Sequence, residues 1–303
     1  MAAYVSLADF AQGFTEIRSE RPEWLPADAA RPLTLDHAMA RARLEDILDT
    51  VVALQRAEWL EDGVYLGPHV MPGVYAEVLD AARTLSVAVP PVLVAGISMS
   101  SQGIHGTDAR HLLRLSTAFV GSAPPEETRF LVGRLLGLSA ARLVSAQTLY
   151  ALLADHSGLR EVARRALGPV LEVVLAPLSI GVRLAASRWH RYAAIGADRA
   201  GLLCAGSLAA ARRAMLRQHL GGDPAIEPEA WMAQLDAIRS QDSPARFAQL
   251  LADEPWTHTR LRALALFARS ECYVRCGGEP EGDGPLLDDA ALDQQVRHRM
   301  GIR

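Results

Sequence analysis

The chain has 303 residues, half of them hydrophobic and 22% charged, with a formal net charge of -4. That composition is globular and allows one sizeable domain or two small ones, and it excludes the basic footprint that nucleic-acid binding needs. Three cysteines, Cys204, Cys272 and Cys276, are too few for a disulfide framework and fit a reducing, cytoplasmic setting.

Residues 1–36 read as an irregular N-terminal segment, with "RPEWLPADAARP" as a loop and no signal-peptide pattern. From residue 37 the chain turns helical. Leu35, Ala38, Leu44, Ile47, Leu48, Val51 and Leu54 recur near a 3.6-residue period. "MPGVYAEVLDAARTLSV" predicts a second helix, with Pro72 in its first turn. "PPVLVAG" is a strand signal. "SMSSQGIHGTDARHLLRLSTAFV" predicts strand, turn, strand, with His105 and His111 at the surface beside the turn. "APPEETRFLVGRLLGLSAARLVSAQTLYALLAD" predicts one long helix whose acidic start suits its N-terminal dipole.

Residues 160–277 read as helices broken by Gly and Pro. Within them, 167–186 is the most apolar run, yet it holds Glu172 and Arg183. It reads as a buried helix or helical hairpin, with an interface or a membrane contact as the alternatives. Cys272 and Cys276 stand one helical turn apart and read as small buried side chains, because two thiolates with no second pair make a poor zinc site. Residues 278–303 read as a Gly/Pro/acidic linker and a C-terminal tail. The expected organisation is thus an α+β, mostly helical domain over 37–277, with about three strands, between two flanking segments.

No phosphate-binding or dinucleotide glycine motif is present, and no H-E-x-x-H. The strand end "VLVAGISMS" places Ser98 after Gly96 in the manner of a nucleophile elbow, but Ser100 stands where a second glycine belongs. A plain serine-rich loop is the simpler reading.

Three later stretches together carry a resemblance. "APPEETRFLVGRLLGL", "SRWHRYAAIGADRAGLL" and "WTHTRLRALALF" occur in the order, and at the spacing, of the motifs of the HtpX / CAAX prenyl protease type of zinc metallopeptidase, a gluzincin. The chain resembles that family over roughly 37–277, and "ADRAGLL" is the most specific block. The resemblance implies a zincin-like fold, with a small sheet and an active-site helix packed in a helical bundle. It places the first histidine ligand at Arg134, the catalytic glutamate at Leu135, the second histidine at Leu138 and the glutamate ligand at Ala194. The motif glycine remains as Gly137, the second-shell aspartate as Asp198, and a histidine of the last motif as His258, which also reads as a satisfied loop histidine. His190 reads as lying on a polar helix face.

A catalytic zinc needs three protein ligands and a nearby carboxylate for its water. Arginine, leucine and alanine have no lone pair to give. The resemblance therefore implies a degenerate member with no zinc cofactor and no catalytic residue, a pseudo-peptidase serving as a binding scaffold, adaptor or regulatory subunit. Its partner would be a protein or extended peptide held at the hairpin, residues 101–117, by strand addition. The alternatives are an active zinc metalloendopeptidase with a relocated metal site, or an enzyme using Ser98. Arg134 is expected to pair with Asp198 in place of the metal, since a buried carboxylate needs a partner; the alternative is that Arg134 snorkels to solvent.

Overall fold

A computed structural model describes residues 22–30, 38–154, 161, 163–165, 168, 180–222, 226–239, 257–282 and 284–299. Expectations for 31–37 and for most of 167–179 lie outside the described residues.

Helix α1, Ala38–Asp62, runs straight into strand β1, Gly63–Tyr65. Leu48 and Val51 are buried as their spacing predicts, while Leu54 is 45% exposed and lies outside the stripe. Helix α2, Pro72–Leu85, has its proline in the first turn and buries Val78, Ala81, Ala82 and Leu85. These positions fall on one face of a 3.6-residue repeat.

Strand β2 is Val92–Ala95, β3 is Gly103–Gly106 and β4 is His111–Ser116. The sheet order is β1-β2-β4-β3, with β2 parallel to β4 and the other pairs antiparallel. Four strands form where about three are expected. Tyr65 and Val64 are exposed and β1 is only three residues long, so alternation in the sequence could not reveal it. The expected strand through Val120 stops at Ser116. There a short helix α3, Thr117–Ser122, begins and buries Phe119 and Val120.

Alternation along the strands gives the sheet two covered faces. Val92, Val94, Ile104, Leu113 and Leu115 join the main core. Leu93 and Leu112 meet Trp59 of α1 on the other side.

The long helix expected after the hairpin is two. Helix α4 spans Pro125–Ala140 and α5 spans Val144–Ala154, with a bend of 103° near their junction. Arg142 turns the chain at φ 54. Asp108, from the β3–β4 turn, fixes the new start. Its Oδ1 accepts from the Val144 and Ser145 N–H groups at 2.8 and 3.3 Å, and its own N–H donates to Ser145 Oγ. A cap supplied from elsewhere in the sequence ends one helix and begins another.

Helix α6, Ile180–Ala205, packs closely along α4. A Cβ on Gly133 would lie 2.5 Å from Cys204 Sγ, and one on Gly137 2.5 Å from the Ala200 Cβ. One on Gly201 would lie 2.8 Å from the Phe130 carbonyl oxygen. Three glycines thus let the two backbones approach. Helices α7, Leu208–Leu220, and α8, Pro228–Arg239, follow, and then α9, Thr257–Phe267. Glu127, buried in the first turn of α4, ties α7 down through Arg217 at 2.8 Å.

Helix continues past the expected domain end at 277, while residues 22–30 are irregular as expected. Helix α10 spans Glu271–Arg275, and α11 spans Asp289–Arg299, where a tail is expected. Leu292 and Val296 of α11 are buried in the main core. In the N-terminal segment Trp24, Leu25 and Ala29 are buried too, and the Trp189 indole N–H donates to the Ala29 carbonyl. The result is α+β and mostly helical. Among the described residues no single helix is long and apolar enough to cross a membrane.

Candidate functional site

The two helices that touch most, α4 and α6, frame a cavity of about 370 Å³. Arg134, Leu135 and Leu138 of α4 line it, and so does Ala194 of α6. Four positions drawn from two stretches some sixty residues apart in sequence thus share one wall. Gly137 turns to the other side, against Ala200 and Trp24, and serves the helix contact.

Strand β3 forms the adjoining wall. Gly103, Ile104 and His105 line the cavity together with Trp59 and Arg114. Ile104 belongs to the core face of the sheet, whereas His105 meets Trp59 edge-on at 4.9 Å on the opposite face. Side chains of both faces reach one cavity because it lies along the sheet's edge. The Arg114 guanidinium covers the Trp59 ring at 4.3 Å, a cation–π contact.

Asp198 sits behind the cavity wall, 2% exposed. Arg134 Nε forms an ion pair with its Oδ1 at 2.9 Å, so the pairing expected of these two residues forms. A second guanidinium, which the sequence reading missed, completes the group. Arg260 of α9 donates through Nε to Oδ2 at 2.8 Å and through Nη2 to Oδ1 at 2.6 Å. The side chains of Arg134 and Arg260 are 15% and 8% exposed. Arg134 also donates through Nη1 to Gln218 Oε1 at 3.1 Å. Two-pronged binding by a planar guanidinium fixes the carboxylate's orientation as well as its charge. Arg260 stands two residues beyond His258 in "WTHTRLR", and an arginine beside a motif histidine was the available clue.

His258 lies buried on α9, its Nε2 3.1 Å from Thr259 Oγ1, and is not in a loop. His105 and His111 are not surface residues. His105 is 8% exposed, and its Nε2 is buried without a hydrogen-bond partner. Burial, helped by Arg114, pushes its pKa down to about 4. His111 is partly buried, its Nε2 2.9 Å from Ser139 Oγ, and burial lowers its pKa as well. His190 is also buried. It stacks on Tyr150 at 4.0 Å and meets Gln147 Oε1 through Nδ1. The i, i+2 alternation of a two-sided sheet and the inner face of α6 account for these three corrections.

The donor set does not fit a zinc ion. Arg134, Leu135, Leu138 and Ala194 supply no ligand atom, and among the described residues no three His, Cys, Asp or Glu side chains are grouped to hold a metal. Cys272 is buried and Cys276 partly buried. A hydrogen bond from Cys276 draws the Cys272 thiol down in pKa, but no third ligand joins them among the described residues. Ser98 follows β2 in a mixed sheet, which lacks the parallel β-α series that a nucleophile elbow requires.

Comparison with protein-family models, with curated proteins and with solved structures finds no match.

Proposed function

We propose that this protein is a degenerate relative of the HtpX / CAAX prenyl protease type of metallopeptidase, a pseudo-peptidase that binds an extended protein segment without cleaving it. One observation carries the reading. The four positions that the resemblance assigns to metal ligands and general base all line a single cavity, and that cavity runs along the edge strand of the sheet. Chance alignment of short motifs gives no reason for Arg134, Leu135, Leu138 and Ala194 to converge. The residues found there cannot activate water through a metal, but strand addition needs only an open edge.

Metal content and peptidase activity test the reading. Protein purified without chelator is expected to hold less than about a tenth of an equivalent of zinc, iron or manganese by plasma mass spectrometry, judged against the near-stoichiometric occupancy of structural and catalytic sites. Near one equivalent, together with cleavage of an unfolded protein substrate, would return the protein to the active metallopeptidases.

A further inference from the structure

Away from the cavity, Arg199 of α6 is buried, 2% exposed. Its Nη1 donates to the Trp24 carbonyl at 3.2 Å, and its guanidinium lies over the Phe267 ring at 5.1 Å. Nε and Nη2 are buried without a hydrogen-bond partner among the described residues. A buried cation held by a carbonyl and a ring, with no carboxylate bonded to it, is costly. Asp289 and Asp293 act on its charge, but Cys272 acts more strongly than either.

Cys272 Sγ donates to the Glu23 carbonyl at 3.4 Å, one residue before the carbonyl that Arg199 holds. Cys276 stands beside it. Its backbone N–H donates to the Cys272 carbonyl at 3.0 Å, and the two thiols share a hydrogen bond. Both are free, one buried and one partly exposed. A disulfide needs Cβ atoms about 3.5–4.5 Å apart, against about 5–6 Å for neighbours one helical turn apart. This turn has room to tighten, because Cys276 is the C-cap of the five-residue helix α10 and Gly277 follows at φ 89. The Glu23 end of the contact leads into the helix frame. A Cβ on Gly137 would lie 3.5 Å from the Trp24 ring, and one on Gly196 2.7 Å from Leu25 Cδ1. The Cys272 S–H thus helps to hold a strap that lies across α4 and α6.

We infer that Cys272 and Cys276 are a peroxide-sensitive dithiol, whose oxidation to a disulfide removes the Cys272 bond to Glu23 and loosens residues 23–29 from α4 and α6. Arg199 favours a thiolate in the pair, since that anion is the counter-ion it lacks. Proton transfer along the S–H···S bond places the anion on Cys276, the sulfur nearer solvent. The thiolate attacks hydrogen peroxide. An S–O bond forms, the O–O bond breaks, and the hydroxide that leaves takes up the proton the pair released. Cys272 then attacks the sulfenic sulfur. The S–S bond forms, and the second hydroxide leaves with the Cys272 proton as water. Two thiols and one peroxide thus give one disulfide and two waters, the thiols losing the two electrons that the peroxide gains.

The test treats the reduced full-length protein with a small excess of hydrogen peroxide and maps its cysteines by mass spectrometry without reduction. A Cys272–Cys276 disulfide is expected. Cys204 supplies the internal control, because burial pushes its thiol up to about 12 and leaves it inert. Amide hydrogen exchange then reads the strap. The Ala29 N–H, which donates to the Pro26 carbonyl at 3.0 Å, should exchange at least about tenfold faster once the disulfide forms, and dithiothreitol should restore the slow rate. Cys276→Ser keeps the Cys272 donor and changes a partly exposed position, so it should fold and show no peroxide-dependent loosening. Oxidation of Cys204 as fast as the pair, or no disulfide between Cys272 and Cys276, would overturn the dithiol. A disulfide that leaves exchange over residues 22–30 unchanged would overturn the release of the strap, and so would equal loosening in Cys276→Ser.

Discussion

Replacing Asp198 by Asn keeps the side chain's shape and removes its charge. The wild-type carboxylate accepts two hydrogen bonds from Arg260, at 2.8 and 2.6 Å, and forms an ion pair with Arg134 at 2.9 Å; these guanidinium side chains are 8% and 15% exposed. An asparagine offers one acceptor oxygen, and its NH2 faces a donor. Two largely dehydrated cations then lie side by side without their counter-ion. Breaking a buried pair in this way costs about 3–5 kcal/mol, a large part of a typical folding stability of about 5–15 kcal/mol. At roughly 2–4 °C per kcal/mol the melting temperature should fall by about 6–20 °C. Urea unfolding followed by circular dichroism measures the loss directly. The converse variant, Arg134→Met with Asp198→Leu and Arg260→Met, should recover most of it, because removing a whole buried ionic group is often neutral. A loss below about 1 kcal/mol for Asp198→Asn would mean that water reaches the group, as it does at surface pairs, and the picture of a dehydrated cluster would fail.

Three further outcomes are expected. His105 is held neutral, with a folded pKa of about 4 against 6.5. The unfolded state binds its proton first as the pH falls, so its contribution is full above about pH 6.5 and is lost progressively down to about 4, to the extent of about 3 kcal/mol; urea midpoints across that window should flatten in His105→Phe. Gly137→Ala should cost about 1–3 kcal/mol by overpacking the α4–α6 contact, and Ala200→Gly should rescue it, since the clash is with the Ala200 Cβ; additive losses in the double-mutant cycle would contradict the close approach. Asp108→Ala should cost about 0.5–2 kcal/mol, with faster amide exchange at Val144 and Ser145, whose N–H groups it accepts; unchanged exchange there would refute the cap.

The helices with a clear apolar repeat, such as α2, were legible, and so were β2 and the hairpin, whose signals are local. The break between α4 and α5 was not. It depends on Asp108, some thirty-six residues earlier in the sequence, and on an arginine in a left-handed conformation that sequence propensity disfavours. Burial of Leu292 and Val296 on α11, and of Trp24, Leu25 and Ala29, was invisible for the same reason, since the partner surface is built by distant segments. At the site, matching motifs indicated Arg134 and Asp198, and charge balance suggested their union. Arg260 was overlooked because one carboxylate was expected to take one cation. His105 and His190 were misplaced because a lone histidine carries no periodicity of its own, and its burial is decided by what packs over it, here Trp59 and Tyr150.

The glycines between α4 and α6 bear on how such a cavity can change. Helix spacing here is set where backbone nearly meets backbone, at Gly133, Gly137 and Gly201. Arg134, Leu135 and Leu138 project from the neighbouring side of the same helix into the cavity. The frame and the lining are therefore carried by different residues of one element. Side chains facing the cavity can be exchanged, large for small or charged for apolar, without altering the distance between the helices that hold it open, and a scaffold divided in this way can outlast a complete rewriting of the chemistry inside it.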